Sequence, residues 1–122
     1  MFLSKSAGLS FVTPVAYDWK YALSAIRAYY AAADEIILGL DKDRVSWSGQ
    51  PFKLEAAEFQ TRLGELDKDK KIRIVQDDFH SQGSPTLNDT HERNQLSLEC
   101  RSGNWVVQID SDRTRFAARA AE

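Results

Sequence analysis

Four short apolar runs constrain this chain more than any other feature: LSFVTPV (residues 9–15), EIILGLD (35–41), KIRIVQDD (71–78) and NWVVQID (104–110). Each is too short for a buried helix and suits a strand. EIILGLD shows no polar alternation, as expected of a parallel strand covered on both faces. Pro14 is expected to end strand one, placing it at residues 9–13. Between the runs lie helical patterns. After Asp18, a plausible N-cap, the apolar residues Trp19, Ala22, Leu23, Ile26, Tyr29, Tyr30 and Ala33 recur at helical spacing. After Pro51, Ala56, Phe59, Leu63 and Leu66 form a second stripe. FHSQGSPTLN (79–88) has the composition of a long loop, and DTHERNQLSLECRSG (89–103) reads as a third helix, capped near Asn88 or Asp89 and stopped by Gly103. Alternating strands and helices with right-handed crossovers predict an α/β three-layer sandwich with a mostly parallel sheet. The expected strand order is 3-2-1-4, because the chain must reverse direction across the sheet after strand three. The 122 residues suffice for one domain over 1–122.

Composition narrows the partners. Sixteen basic and 18 acidic residues, net charge −2, are spread along the chain, so no electrostatic footprint for nucleic acid or anionic lipid is present. Cys100 is the only cysteine, which excludes an intrachain disulfide, makes a reducing compartment the simplest assumption and leaves core filling as its expected role. The N-terminal MFLSKSAGLSFVTPV is interrupted by Ser4, Lys5, Ser6 and Gly8, and no stretch approaches the ~20 apolar residues of a membrane span. A cytoplasmic protein is expected.

Ligands of open parallel sheets bind outside the carboxyl ends of the strands. This chain places Pro14, Asp41, Asp77 and the pair Asp110 and Asp112 at those ends. On extended backbone, residues 110 and 112 leave the same face roughly 6–7 Å apart. Such close carboxylates repel unless a cation or a proton lies between them. Oxygen-only ligands at this spacing favour Mg²⁺ or Mn²⁺, completed by water and substrate phosphates. The competing reading is that Asp-Ser-Asp merely ends a strand and opens a turn. His80 and His91 receive no role, since polar loop histidines are mostly solvated. Trp47 either stacks on a ring or closes a core edge, and Asp77 and Asp78 either touch a base or cap the turn after strand three.

The order of elements around the aspartate pair adds to this. THERNQLSLECRSGNWVVQIDSD (90–112) resembles the donor half of the family-two glycosyltransferases of the GT-A fold, in which an Ala-Arg-Asn-type helix precedes a strand delivering a metal-binding Asp-X-Asp. FVTPV resembles the first strand of that family with its proline, and ILGLDKD the second with its terminal acid. The resemblance covers about residues 9–112. It implies a truncated GT-A domain, nucleotide-diphospho-sugar transferase-like, with Mn²⁺ or Mg²⁺ as cofactor. Asp110 and Asp112 would hold the metal and the diphosphate, Asp41 would contact the nucleoside, and the backbone at Thr13 and Pro14 would lie along the base. Arg93 and Asn94 would stand near the donor, with Arg93 meeting phosphate, the aspartate pair, or only a helix-to-strand salt bridge; Asp77 joins the candidate donor contacts.

After Asp112 only RTRFAARAAE (113–122) remains, where the family continues into the half that binds the acceptor and supplies the base. The expectation is therefore a metal-dependent glycosyltransferase reading a nucleotide-sugar donor, with an unknown acceptor and a missing C-terminal half. Strand four would then be an edge strand, giving a homodimer joined there or poor solubility. A non-catalytic nucleotide-binding or interaction module is the alternative. A metal-dependent nucleotidyltransferase is less favoured, since TPVAYDWKY after strand one has no glycine.

Overall fold

The computed structural model describes residues 8–110 together with 117–118. Four parallel strands form the sheet: β1 (Leu9–Val15), β2 (Glu35–Asp41), β3 (Ile72–Asp77) and β4 (Trp105–Gln108). Their order is β3-β2-β1-β4, as the reversal after the third strand requires. A two-residue β5 (Ala117–Ala118) adds antiparallel to β4, pairing Val107 with Ala118 and Gln108 with Ala117. The expectation that strand four is a bare edge is thus corrected: β4 lies between β1 and β5 at those residues. The remaining tail positions, including Phe116 and Asp112, lie outside the described residues.

Three helices cover the sheet. α1 (Trp19–Tyr29) and α2 (Ala56–Leu66) lie on one face, α3 (Pro85–Leu98) on the other. The split follows from strand alternation, since neighbouring residues point to opposite faces. Phe11 and Val15 of β1, with Ile36, Leu38 and Leu40 of β2, join the larger core under Trp19, Ile26, Tyr29 and Phe59. Val12, Ile37 and Val106 instead meet Leu96 of α3. The buried stripe of α1 is Trp19, Ala22, Leu23, Ile26 and Tyr29, and a 3₁₀ turn over Tyr30–Ala32 ends it. Asp18 precedes α1 as expected, but its Oδ1 accepts from Ala16 N at 3.2 Å and makes no side-chain cap bond to the helix.

Several boundaries differ from the expectation, the third helix ending at Leu98 rather than at Gly103, and two of them have a clear physical reason. The third helix begins at Pro85, and Ser84 is its N-cap, its hydroxyl accepting from Leu87 N at 3.2 Å. Ser-Pro, read as loop composition, is here a helix start: proline at the first helical position lacks only an N–H that would find no partner within the helix. Strand one continues through Pro14 to Val15, with Pro14 opposite Gly39 on β2. Toward β4 the ladder stops at Val12 opposite Gln108, after Ile109 N donates to Val12 O. The next bond of a parallel ladder would need an amide proton on residue 14, which proline lacks. β1 and β4 therefore end their pairing near Pro14, at the carboxyl edge.

Candidate functional site

On the α3 face of that edge, Pro14, Asp41 and Asp110 share the wall of one cleft of about 330 Å³ with Asp89, Glu92 and Arg93 of α3 and Trp47 of the β2–α2 loop. Alternation explains the first three. Pro14 lies on the Val12 side of β1, Asp41 on the Ile37 side of β2 and Asp110 on the Val106 side of β4, all facing α3. Tyr17 and Asp18 close the cleft from the β1–α1 loop.

Asp41 is 4% exposed and its carboxylate is saturated. Oδ2 accepts from Asp43 N and Val45 N, both at 3.0 Å. Oδ1 accepts from Phe79 N at 2.8 Å and from His80 Nδ1 at 2.7 Å. Burial alone would raise its pKa, but the His80 bond and the three amides outweigh burial and hold it below the ordinary carboxylate value. The Asp41 bond, opposed by partial burial, raises the His80 pKa in turn. One side chain thereby ties the loop after β2 to the loop after β3.

Arg93 bridges α3 to the end of β4, with Nε on Asp89 Oδ1 at 2.5 Å and Nη2 on Asp110 Oδ1 at 2.6 Å. Burial opposes its charge, but the two carboxylates outweigh that and raise its pKa. Of the contacts expected for Arg93, the one present among the described residues is a helix-to-strand salt bridge, made to Asp110. Glu92, 4% exposed, accepts at Oε1 from Trp47 Nε1 at 2.7 Å, while Oε2 is buried without a hydrogen-bond partner. Burial, opposed by the Trp47 bond and the charge of Arg93, pushes its pKa up to about 7.

Other expected site residues stand apart. The Thr13 side chain is fully buried on the opposite face, its Oγ1 3.1 Å from the Tyr29 hydroxyl, so Thr13 could offer the cleft only backbone. Asp77 ends β3 opposite Asp41, but it is exposed, its Oδ1 accepts from Asp78 N, and it does not line the cleft. Asn94 is exposed on α3 away from the cleft. Asp112, half of the expected metal pair, lies outside the described residues.

Sequence reasoning missed His80 and Glu92. The only signal for Glu92 was a charged residue at a position of α3 that must face the sheet, four residues before buried Leu96. His80 lies 3.3 Å from its neighbour Asp78, but nothing local signalled its bond to Asp41, 39 residues distant. Asp41, Asp78 and His80 bring three potential ligand atoms within 4.8 Å of one another. The Asp41 oxygens are already committed to amides and imidazole, so this group functions as a hydrogen-bonded clamp. No helix among the described residues is long and apolar enough to cross a membrane. Comparison of the chain with protein-family models, curated proteins and solved structures returned no match.

Proposed function

We propose that the cleft binds a nucleotide-sugar and that this chain acts as the donor-binding half of a metal-dependent glycosyltransferase. The observation that carries the reading is that Pro14, Asp41, Arg93 and Asp110, drawn from three strand ends and one helix, line a single cleft. These are residues to which the GT-A resemblance assigns donor contacts. The position of the cleft, at the carboxyl edge of a parallel sheet, is where such ligands bind.

Metal dependence follows from charge. Among the described residues, the cleft is lined by Asp18, Asp41, Asp89, Glu92 and Asp110, with Arg93 as the cation. A diphosphate entering alone would meet mostly like charge. Asp110, with Asp112, is the hard-oxygen donor set suited to Mg²⁺ or Mn²⁺, and Arg93 would share Asp110 with the ion. Such a cation, when bound, would neutralise charge developing on the leaving nucleotide. Arg93 orients Asp110 and adds a fixed positive charge, while Asp41 shapes the two loops around the nucleoside.

Calorimetric titration with UDP, GDP and their sugars, with and without Mn²⁺, tests this. Binding of at least one nucleotide, strengthened tenfold or more by Mn²⁺ and weakened by Asp112→Asn, is the expected result. Affinity unchanged by a chelator and by that substitution would overturn the metal reading, and no binding by any of the nucleotides would overturn the donor site.

A further inference from the structure

Glu92 is anchored through one oxygen and stranded through the other. Its Oε2 lies against Gly39 of β2, where an added β-carbon would overlap it and come within 2.9 Å of Leu96 Cδ1. Its Oε1 holds the indole of Trp47. Trp47 sits in a tight loop closed by the Val45–Pro51 bridge and by Gly49 N donating to Ser46 O at 2.9 Å. α3 grips this loop through Glu92 and through Asn88, whose Nδ2 donates to Trp47 O at 2.6 Å. The Arg93 guanidinium lies 5.7 Å from the indole ring centre.

We propose that Trp47 is a ring-stacking wall of the cleft and that Glu92 is its positioning residue, docking the indole on α3 as a neutral acid and releasing it on ionisation. The identity of the ring as a nucleobase rests on the nucleotide reading above; the release does not. Trp47 is half-buried and lines the cleft, with the Arg93 guanidinium over its ring, and an aromatic ring beside a guanidinium is a combination that selects planar ligands.

The release follows from solvation. A neutral carboxyl tolerates the niche at Gly39, whereas a carboxylate with a bare buried oxygen does not. The groups around it add to the penalty. Asp41 faces it from β2, Asp89 shares its helix, Asp18 and Asp110 line the same cleft, and Arg93 is the opposing cation, already paired with Asp89 and Asp110. His80 acts on this group through Asp41. Gly39 and Leu96 close the niche, so an ionised carboxyl gains water by swinging toward the cleft, and that movement breaks the bond to Trp47.

The ligand-free test follows the Trp47 indole N–H signal by NMR from pH 5.5 to 8.5, assigned by its loss in Trp47→Phe. In the wild type it should shift with a midpoint near 7. In Glu92→Gln, which keeps an acceptor oxygen and stays neutral, it should remain at the docked position throughout. A pH-invariant wild-type signal, or an equal shift in Glu92→Gln, where His80 and the other groups still titrate, would overturn the release. The ligand test measures UDP and GDP affinity with Mn²⁺ at pH 6.5 and 8. The wild type should bind several-fold more weakly at pH 8, while Glu92→Gln and Trp47→Phe, which removes the indole donor but keeps a ring, should lose that dependence. Trp47→Ala should bind at least tenfold more weakly at both pH values, and unchanged affinity would overturn the wall. Absence of nucleotide binding by the wild type would remove the nucleobase and the wall together, with the release decided by the indole titration alone.

Discussion

Asp41 shows how much one buried carboxylate can organise. Asp41→Asn keeps its shape but replaces one accepting oxygen by an amide that two backbone N–H donors cannot use. The expected cost is about 1–3 kcal/mol in denaturant unfolding, larger for Asp41→Ala. The pH dependence of stability separates three groups. Asp41, with its folded pKa below the reference 3.8, contributes stability above that value, lost as pH falls through the lower folded pKa. His80, raised above 6.5, contributes fully below 6.5 and loses its contribution as pH rises through its folded pKa. Glu92 acts in the opposite sense to Asp41. Because its folded pKa of about 7 exceeds the reference 4.5, the folded state holds a proton that the unfolded chain gives up, so stability falls as pH rises from 4.5 to 7. The span corresponds to roughly 3 kcal/mol as an upper figure. Calorimetric melting should therefore show Tm falling from pH 5 to pH 8. Glu92→Gln should remove the part below pH 7 and leave the part due to His80.

At the scale of elements, α3 carries the site and its placement depends on two small features. Ser84→Ala removes the hydroxyl that caps Leu87 N and should cost about 1 kcal/mol, read in denaturant unfolding. Gly39 allows the helix to approach β2 closely enough for Glu92 and Leu96 to lie on bare backbone. Gly39→Ala should cost about 1–3 kcal/mol through overpacking and should also disturb the Trp47 indole signal, because Glu92 must move. The third helix was legible as an element, but its ends were not: it starts at Pro85 rather than near Asp89, since Ser-Pro serves turns and helix starts alike, and it stops at Leu98, before Gly103. The strands were legible from apolar runs alone. That Pro14 ends pairing with β4 while β2 continues to pair was not, because it depends on which neighbour each strand has.

For the molecule as a whole, the sheet edge at β4 is where association with a second chain is expected. Among the described residues β5 pairs with Val107 and Gln108, and the Trp105 side chain is 44% exposed. A chain shortened to end at Phe116 loses β5 and should self-associate more strongly, as unpaired strand groups template another chain. Sedimentation over a wide concentration range would show this as a concentration-dependent rise in mass relative to the full chain. Equal behaviour of the two chains would mean that β5 does not guard the edge.

The sequence by itself determined the α/β alternation, the parallel order 3-2-1-4 and the presence of Asp41 and Asp110 at strand ends, because apolar period, turn chemistry and crossover handedness are local or nearly local rules. Only the tertiary structure decided which of those acids share a cleft. Face parity turned Thr13 toward Tyr29 and Pro14 toward α3, although they are adjacent in the chain. It likewise required packing of a helix against a glycine to bury Glu92 beside Trp47, and a bond across 39 residues to give His80 its partner. Burial and long-range pairing set the charge state of those groups, and neither is written in the neighbouring residues.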